Sequence, residues 1–287
     1  MHINYWQTFR QDGLGRAGLG LLALVVGLAL FAPLLAAHEP AEYAGPPLAP
    51  PSREHWLGTN DVGQDVWSRL LYGARTSLVV GGGVAALAGA FSLIIGSSTA
   101  LLGGLYDRCW MRAVDVMLVI PPVIVVMLAA AYLRPNLGLL VVLLSILIWP
   151  GGARIIRAQT LSLQARMPVV AARAYGAGRW HLLTRHILPD LGPILVAVMI
   201  QDARRAVFME AGLSFLGVAD PSLLSWGKMM QRAMAFTYLD TWKWWLVPTG
   251  LALSVTVMGL SFVGSALEAV LDPRLRAARP KDGKAKT

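Results

Sequence analysis

The chain has 287 residues, 56% of them hydrophobic and 14% charged, and a formal net charge of +9. Stretches of about 20 residues almost free of charge, the length that crosses a bilayer as helix, predict an all-α integral membrane protein with six transmembrane helices and exclude a second soluble domain of ordinary size. The lone Cys109 excludes an intramolecular disulfide framework and stands in no metal-ligand spacing.

Residues 1–17 form a tail that carries Arg10 and Arg16 ahead of the first span, 18–37. The small residues that end this run leave a cleaved signal peptide as the competing reading, but the apolar run is longer than a typical signal core, so an uncleaved helix is expected. Residues 38–76 read as an ordered external loop, rich in Pro at first and turn-rich over 58–75. Its His38, Glu39, Glu42, His55, Asp61 and Asp65 are irregularly spaced, which favours a solvated loop over a metal site.

Residues 77–271 hold the other five spans. The second, 77–102, carries Gly81, Gly82 and Gly83 and several alanines, small residues that let a neighbouring helix approach closely, so it is expected inside the bundle. The third, 113–132, contains Pro121 and Pro122 and should kink there, with Asp115 paired locally to Arg112. The fourth is an apolar run over 137–148 that meets Trp149, Pro150, Gly151 and Gly152; it is expected to bend or end there, and the span is set at 137–156. The fifth, 191–216, is followed by an external segment, 217–244, the sixth span, 245–271, and a basic tail, 272–287.

Between the fourth and fifth spans lies a polar loop, 157–190, whose centre reads MPVVAARAYGAGRWHLLTRHILP over 167–189. Pro168 can open a short helix, Gly176 and Gly178 interrupt it, and Arg179 opens a second segment that Pro189 should stop. In that segment Trp180, Leu183 and Ile187 share a helical face while Arg179, Arg185 and His186 stay polar. Taken alone, such a surface suits a helix lying on the membrane interface or a docking element for another protein.

Placing the N-terminus inside sorts the basic residues. Of 25 Lys and Arg, 16 then fall in cytoplasmic segments, 7 in external ones, and Arg204 and Arg205 within the fifth span. This is the positive-inside bias, with both termini cytoplasmic, and it removes any need for nucleic acid to explain the charge.

The loop at 167–189 resembles the coupling motif of bacterial ABC importer permeases, EAA, three residues, G, nine residues, I-x-L-P. Ala171 and Ala172 match the alanines, Gly176 the glycine, and Leu188 and Pro189 the final pair; Val170 stands in place of the usual Glu and His186 in place of Ile. Residues 50–78, MRAVDVMLVIPP from Met111, EAGLSFLG from Glu210, SWGKMM from Ser225 and LDPRLR from Leu271 are similar to blocks of the second permease subunit of the dipeptide, oligopeptide and nickel branch.

The resemblance implies a type I ABC importer permease fold with a cytoplasmic coupling helix, in a bacterial or archaeal plasma membrane. It implies as partners a homologous permease subunit, two cytoplasmic ATPases that bind ATP and Mg, and an external substrate-binding protein, with lipid around the spans. This subunit would then hold no cofactor of its own, and its cargo would be peptides, nickel or metal chelates. In that role Ala171 and Ala172 give a smooth docking surface beside Val170, Gly176 and Gly178 allow the corner, Trp180 and Leu183 supply apolar anchors, and Leu188 and Pro189 close the motif.

Charge within the fifth span needs its own account. Gln201, Asp202, Arg204 and Arg205 lie near its middle, with Glu210 two turns on. Three readings stand: a satisfied structural cluster built on an Asp202–Arg205 pair, the wall of a water-filled path that meets a charged substrate, or a break in the span near Gln201, with Glu210 shaping an external gate. Two other classes compete with an importer. A secondary transporter needs broken helices in both halves, which Pro121 and Pro122 with the 201–205 cluster imitate only weakly. A membrane-embedded enzyme needs a catalytic set, and the chain holds no HExxH, GxSxG or GxxxxGK[ST].

Overall fold

A computed structural model describes residues 12–133, 136–218, 220 and 222–271. Residues 1–11 and 272–287 lie outside this range, and with them Arg10 and the basic residues of the C-terminal tail, whereas Arg16 falls within the first helix. Among the described residues every named element is helical. Five helices are long and apolar enough to cross a bilayer, and a bent pair makes a sixth.

The first span is α1, Gly13–Leu30, capped by the Asp12 carboxylate, which accepts from the Leu14 and Gly15 backbone; a single turn, α2, Ala32–Leu35, follows. The external loop is shorter than expected, because α3 runs over Val66–Leu102 and so starts at 66, not at 77. Its start is fixed by Asp65, whose carboxylate accepts from the Ser68 backbone at 2.8 Å and from the Ser68 hydroxyl at 2.7 Å. The same carboxylate meets His55 Nδ1 at 3.0 Å, and both side chains are buried, so these two belong to a folded loop and not to a solvated one.

The third span is broken, not merely kinked. Helices α4, Gly104–Val119, and α5, Pro122–Leu133, meet at 81°. Pro121 has no N–H to donate and forces the residue before it out of helical geometry, and Ile120 is extended at φ −77°, ψ 123°. The expected loop after residue 102 is also helical, since α4 follows a two-glycine corner at Gly103 and Gly104, both at positive φ. Asp115 touches Arg112 at 3.9 Å, but its closer partner is Arg154 on the next helix, and Arg157 grips Asp107 through two bonds of 2.6 Å.

Helix α6 spans Leu137–Gln164 and passes through Pro150 without ending. Ser92 donates to the Trp149 carbonyl at 2.9 Å, and Gly152 lets α3 pack tightly alongside. At Gly96 a Cβ would come within 2.7 Å of the Ala153 carbonyl oxygen, so a side chain there would push the two helices apart. As expected of a small-faced span, α3 lies inside the bundle: Val80, Val84 and Ala88 are buried against Leu144, Ala153 and Ala206.

After the short helices of the polar loop, α9 covers Leu188–Phe215, α10 covers Trp226–Met234, and α11 covers Leu246–Leu271. Helix α9 is unbroken through Gln201, which removes a break there from the readings of the charged cluster.

Candidate functional site

Two regions carry the residues singled out by the sequence. In the polar loop, α7 is Met167–Ala174, with Pro168 in its first turn where the missing N–H costs nothing. It ends on Gly176 at φ +86°, with the Ala177 N–H reaching back to the Ala172 carbonyl at 3.0 Å. That left-handed stop is open to glycine and strained for other residues. Gly178 precedes α8, Arg179–Leu182, which runs through a π turn, Leu183–Ile187, directly into α9.

Pro189 therefore does not stop this segment. It falls in the first turn of α9, just after the widened π turn, where the helix tolerates a residue that cannot donate.

The loop is held at both ends. Arg166 meets Asp190 at 2.9 Å, joining its entry to its exit. Arg173 donates to Gln164 Oε1 at 3.2 Å, while Gln164 Nε2 reaches the Ala100 carbonyl at 2.9 Å. Below, Leu163, Ile187 and Leu191 are buried together, and Val169 and Leu182 also point inward. The corner leaves three large apolar side chains outside: Met167 is 77% exposed, Val170 46% and Tyr175 93%. Ala171, Gly176 and Gly178 are exposed and Ala172 half-buried on the same corner. Trp180, Leu183 and Leu188 instead border a groove of about 470 Å³ whose far wall is the last third of α3.

The second region lies along α9. Asp202 is buried and sits 3.9 Å from Arg205, whose side chain is about half exposed. The second Asp202 oxygen, the Gln201 side-chain oxygen and Arg204 Nε are buried without a hydrogen-bond partner among the described residues. Gln201 Nε2 donates to Glu268 on α11 at 2.8 Å, over Gly264, which leaves room for the amide. Glu210 is separate from this cluster and fully satisfied, accepting from Ser77 on α3 at 3.2 Å and from Ser214 at 2.7 Å.

Sequence reasoning missed Glu268. A carboxylate inside the sixth apolar run was the available signal, but its partner lies 67 positions away and no local spacing joins them.

Comparison with known families agrees with this architecture. Residues 92–277 match the binding-protein-dependent transport system inner membrane component, and residues 4–51 match the N-terminal TM domain of oligopeptide transport permease C. A putative peptide permease protein of Brucella suis is 38% identical over 269 residues, covering 93% of this chain and 89% of that protein. The probable D,D-dipeptide transport system permease protein of Escherichia coli is 35% identical, covering 88% and 85%. The oligopeptide transport system permease protein OppC of Bacillus subtilis is 35% identical, covering 93% and 88%. The chain thus belongs to the binding-protein-dependent transport permeases, the integral inner-membrane components of ABC importers, in the branch that carries the permease C N-terminal segment.

Proposed function

We propose that this subunit forms half of the membrane path of an ATP-driven peptide importer and is worked from the cytoplasm through the corner at 167–189. The observation that carries this is the exposed apolar face of Met167, Val170 and Tyr175 on a corner pinned by Arg166–Asp190. An apolar face on a fixed frame suits a rigid partner that pushes on it. Val170, Ala171, Ala172, Gly176 and Gly178 form the docking side, and Trp180, Leu183, Leu188 and Pro189 carry the load into α9. The neutral Val170 means that contact there rests on shape and apolar burial. Both termini lie in the cytoplasm.

The remaining parts of the machine are a homologous permease, two ATPases that hold ATP and Mg, and an external binding protein that delivers cargo. Peptides are the favoured cargo, since the relatives are named for peptide, dipeptide and oligopeptide transport. Nickel or a metal chelate is the alternative within the same family. Asp202, Arg204 and Arg205, with Gln201, line the path and meet the charged ends of a peptide, while the satisfied Glu210 ties α9 to α3 above them.

The test is uptake by the purified complex in sealed liposomes. Peptide accumulation should require ATP and both ATPases; accumulation driven by an ion gradient without ATP would overturn the reading in favour of a secondary carrier.

A further inference from the structure

The groove beside the corner has walls that suit hydrocarbon. Leu93, Ile94, Leu101 and Leu102 of α3 face Trp180, Leu183 and Leu188 across it. Two serines, Ser97 and Ser98, also line it, but their hydroxyls are committed elsewhere: Ser97 donates to the Leu93 carbonyl at 2.6 Å, and Ser98 meets the Ile95 carbonyl and the Tyr106 hydroxyl at 3.2 Å each. The polar atoms in the wall are thus turned to internal partners, and a guest needs no hydrogen bonds.

The rim has the opposite character. Arg179 lines the groove, no carboxylate does, and among the described residues Arg179 forms no ion pair or side-chain hydrogen bond. Trp180 stands at the same rim, 75% exposed, and Ile94 is 63% exposed, so the groove opens sideways. An apolar slot bordered by the stem of Arg179, whose guanidinium has no protein partner among the described residues, and by an exposed indole matches a single molecule with a hydrocarbon tail and an anionic head.

We propose that this groove is a binding site for one anionic phospholipid of the inner leaflet, its acyl chain lying between α3 and the π turn and its phosphate on Arg179. The inner-leaflet part rests on the cytoplasmic placement of the corner. The lipid seats α8 against α3, filling space that the chain's own side chains leave open.

The test uses the complete complex in nanodiscs, with phospholipids carrying bromine on the acyl chain as contact quenchers of tryptophan fluorescence. The Trp180 signal is taken as the difference between the native chain and Trp180→Phe. Brominated phosphatidylglycerol should quench it at about fivefold lower mole fraction than brominated phosphatidylcholine, and Arg179→Gln should abolish that preference while leaving quenching itself.

Equal quenching by both lipids, in proportion to the bulk composition, would overturn the proposal in favour of ordinary boundary lipid. Absence of Trp180 quenching by either lipid would overturn it in favour of protein covering the groove. Labelling of Tyr175→Cys from each side of sealed vesicles stripped of the ATPases, which would otherwise cover this residue, in a Cys109→Ser background, reads the leaflet separately. Reaction from the inner side is expected, and reaction from the outer side would overturn both the inner-leaflet assignment and the coupling reading.

Discussion

The corner at 167–189 and the cluster at 201–205 are close neighbours in the chain and handle polar groups in opposite ways. In the corner a charge pair, Arg166–Asp190, pins the frame, and large apolar side chains are left exposed beside it. In the cluster the surroundings are apolar, and the groups left over are polar: one oxygen of Asp202, one of Gln201, and Arg204 Nε. A surface that leaves large apolar side chains exposed lacks a protein or lipid partner. A buried site whose polar atoms are unsatisfied lacks water or a polar guest. Under the proposed function, the contrast separates a part that is pushed from a part that is passed.

The strongest way to break this contrast is at Gly176. Gly176→Asp places a side chain on a residue at φ +86° and a charge on the docking face, and ATP-driven uptake should fall by at least about tenfold while membrane insertion is unchanged. Normal uptake in this variant would remove the mechanical role of the corner. Next in size is Asp202→Asn, for which uptake should drop about tenfold with undiminished complex assembly, the loss expected when a charged partner of the cargo is neutralised. Native uptake in both Asp202→Asn and Arg204→Gln would return the cluster to a purely structural role.

Val170→Glu sharpens the comparison from the other side. If the docking groove is adapted to a neutral residue, ATPase co-purification should weaken several-fold; unchanged association would mean that this position faces water in the assembled complex. The smallest effect belongs to the Arg166–Asp190 pair. Both side chains are more than half exposed, so a double-mutant cycle on thermal stability should give a coupling of no more than about 1 kcal/mol. A much larger value would mean that the pair is desolvated by a partner.

The spans were legible because hydropathy is a local property. The break at Pro121 was legible in place but not in size, since a proline guarantees a disturbed helix while the 81° angle depends on what packs on each side. The start of α3 at Val66 was hidden: GTNDVGQDV reads as turns until the Asp65 side chain is seen capping the helix. In the same way Pro189 reads as a stop until the π turn before it is known. The Asp202–Arg205 contact could be drawn from spacing along one helix, whereas Glu268 and the groove by Trp180 arise between elements distant in sequence. The family motifs located the corner; its apolar outward face needed coordinates.

The unbroken run from α8 through the π turn into α9 has a further consequence. A connecting rod transmits displacement along a continuous body, and Arg179–Phe215 is continuous helix, with a π turn at Leu183–Ile187 and Pro193 as the places where it can flex. From Leu188 to Asp202 the rise is roughly 20 Å at the usual helical pitch. Under the proposed function, a tilt imposed near Trp180 would swing Asp202 and Arg205 sideways through a distance set by lever length, less whatever the π turn and Pro193 absorb.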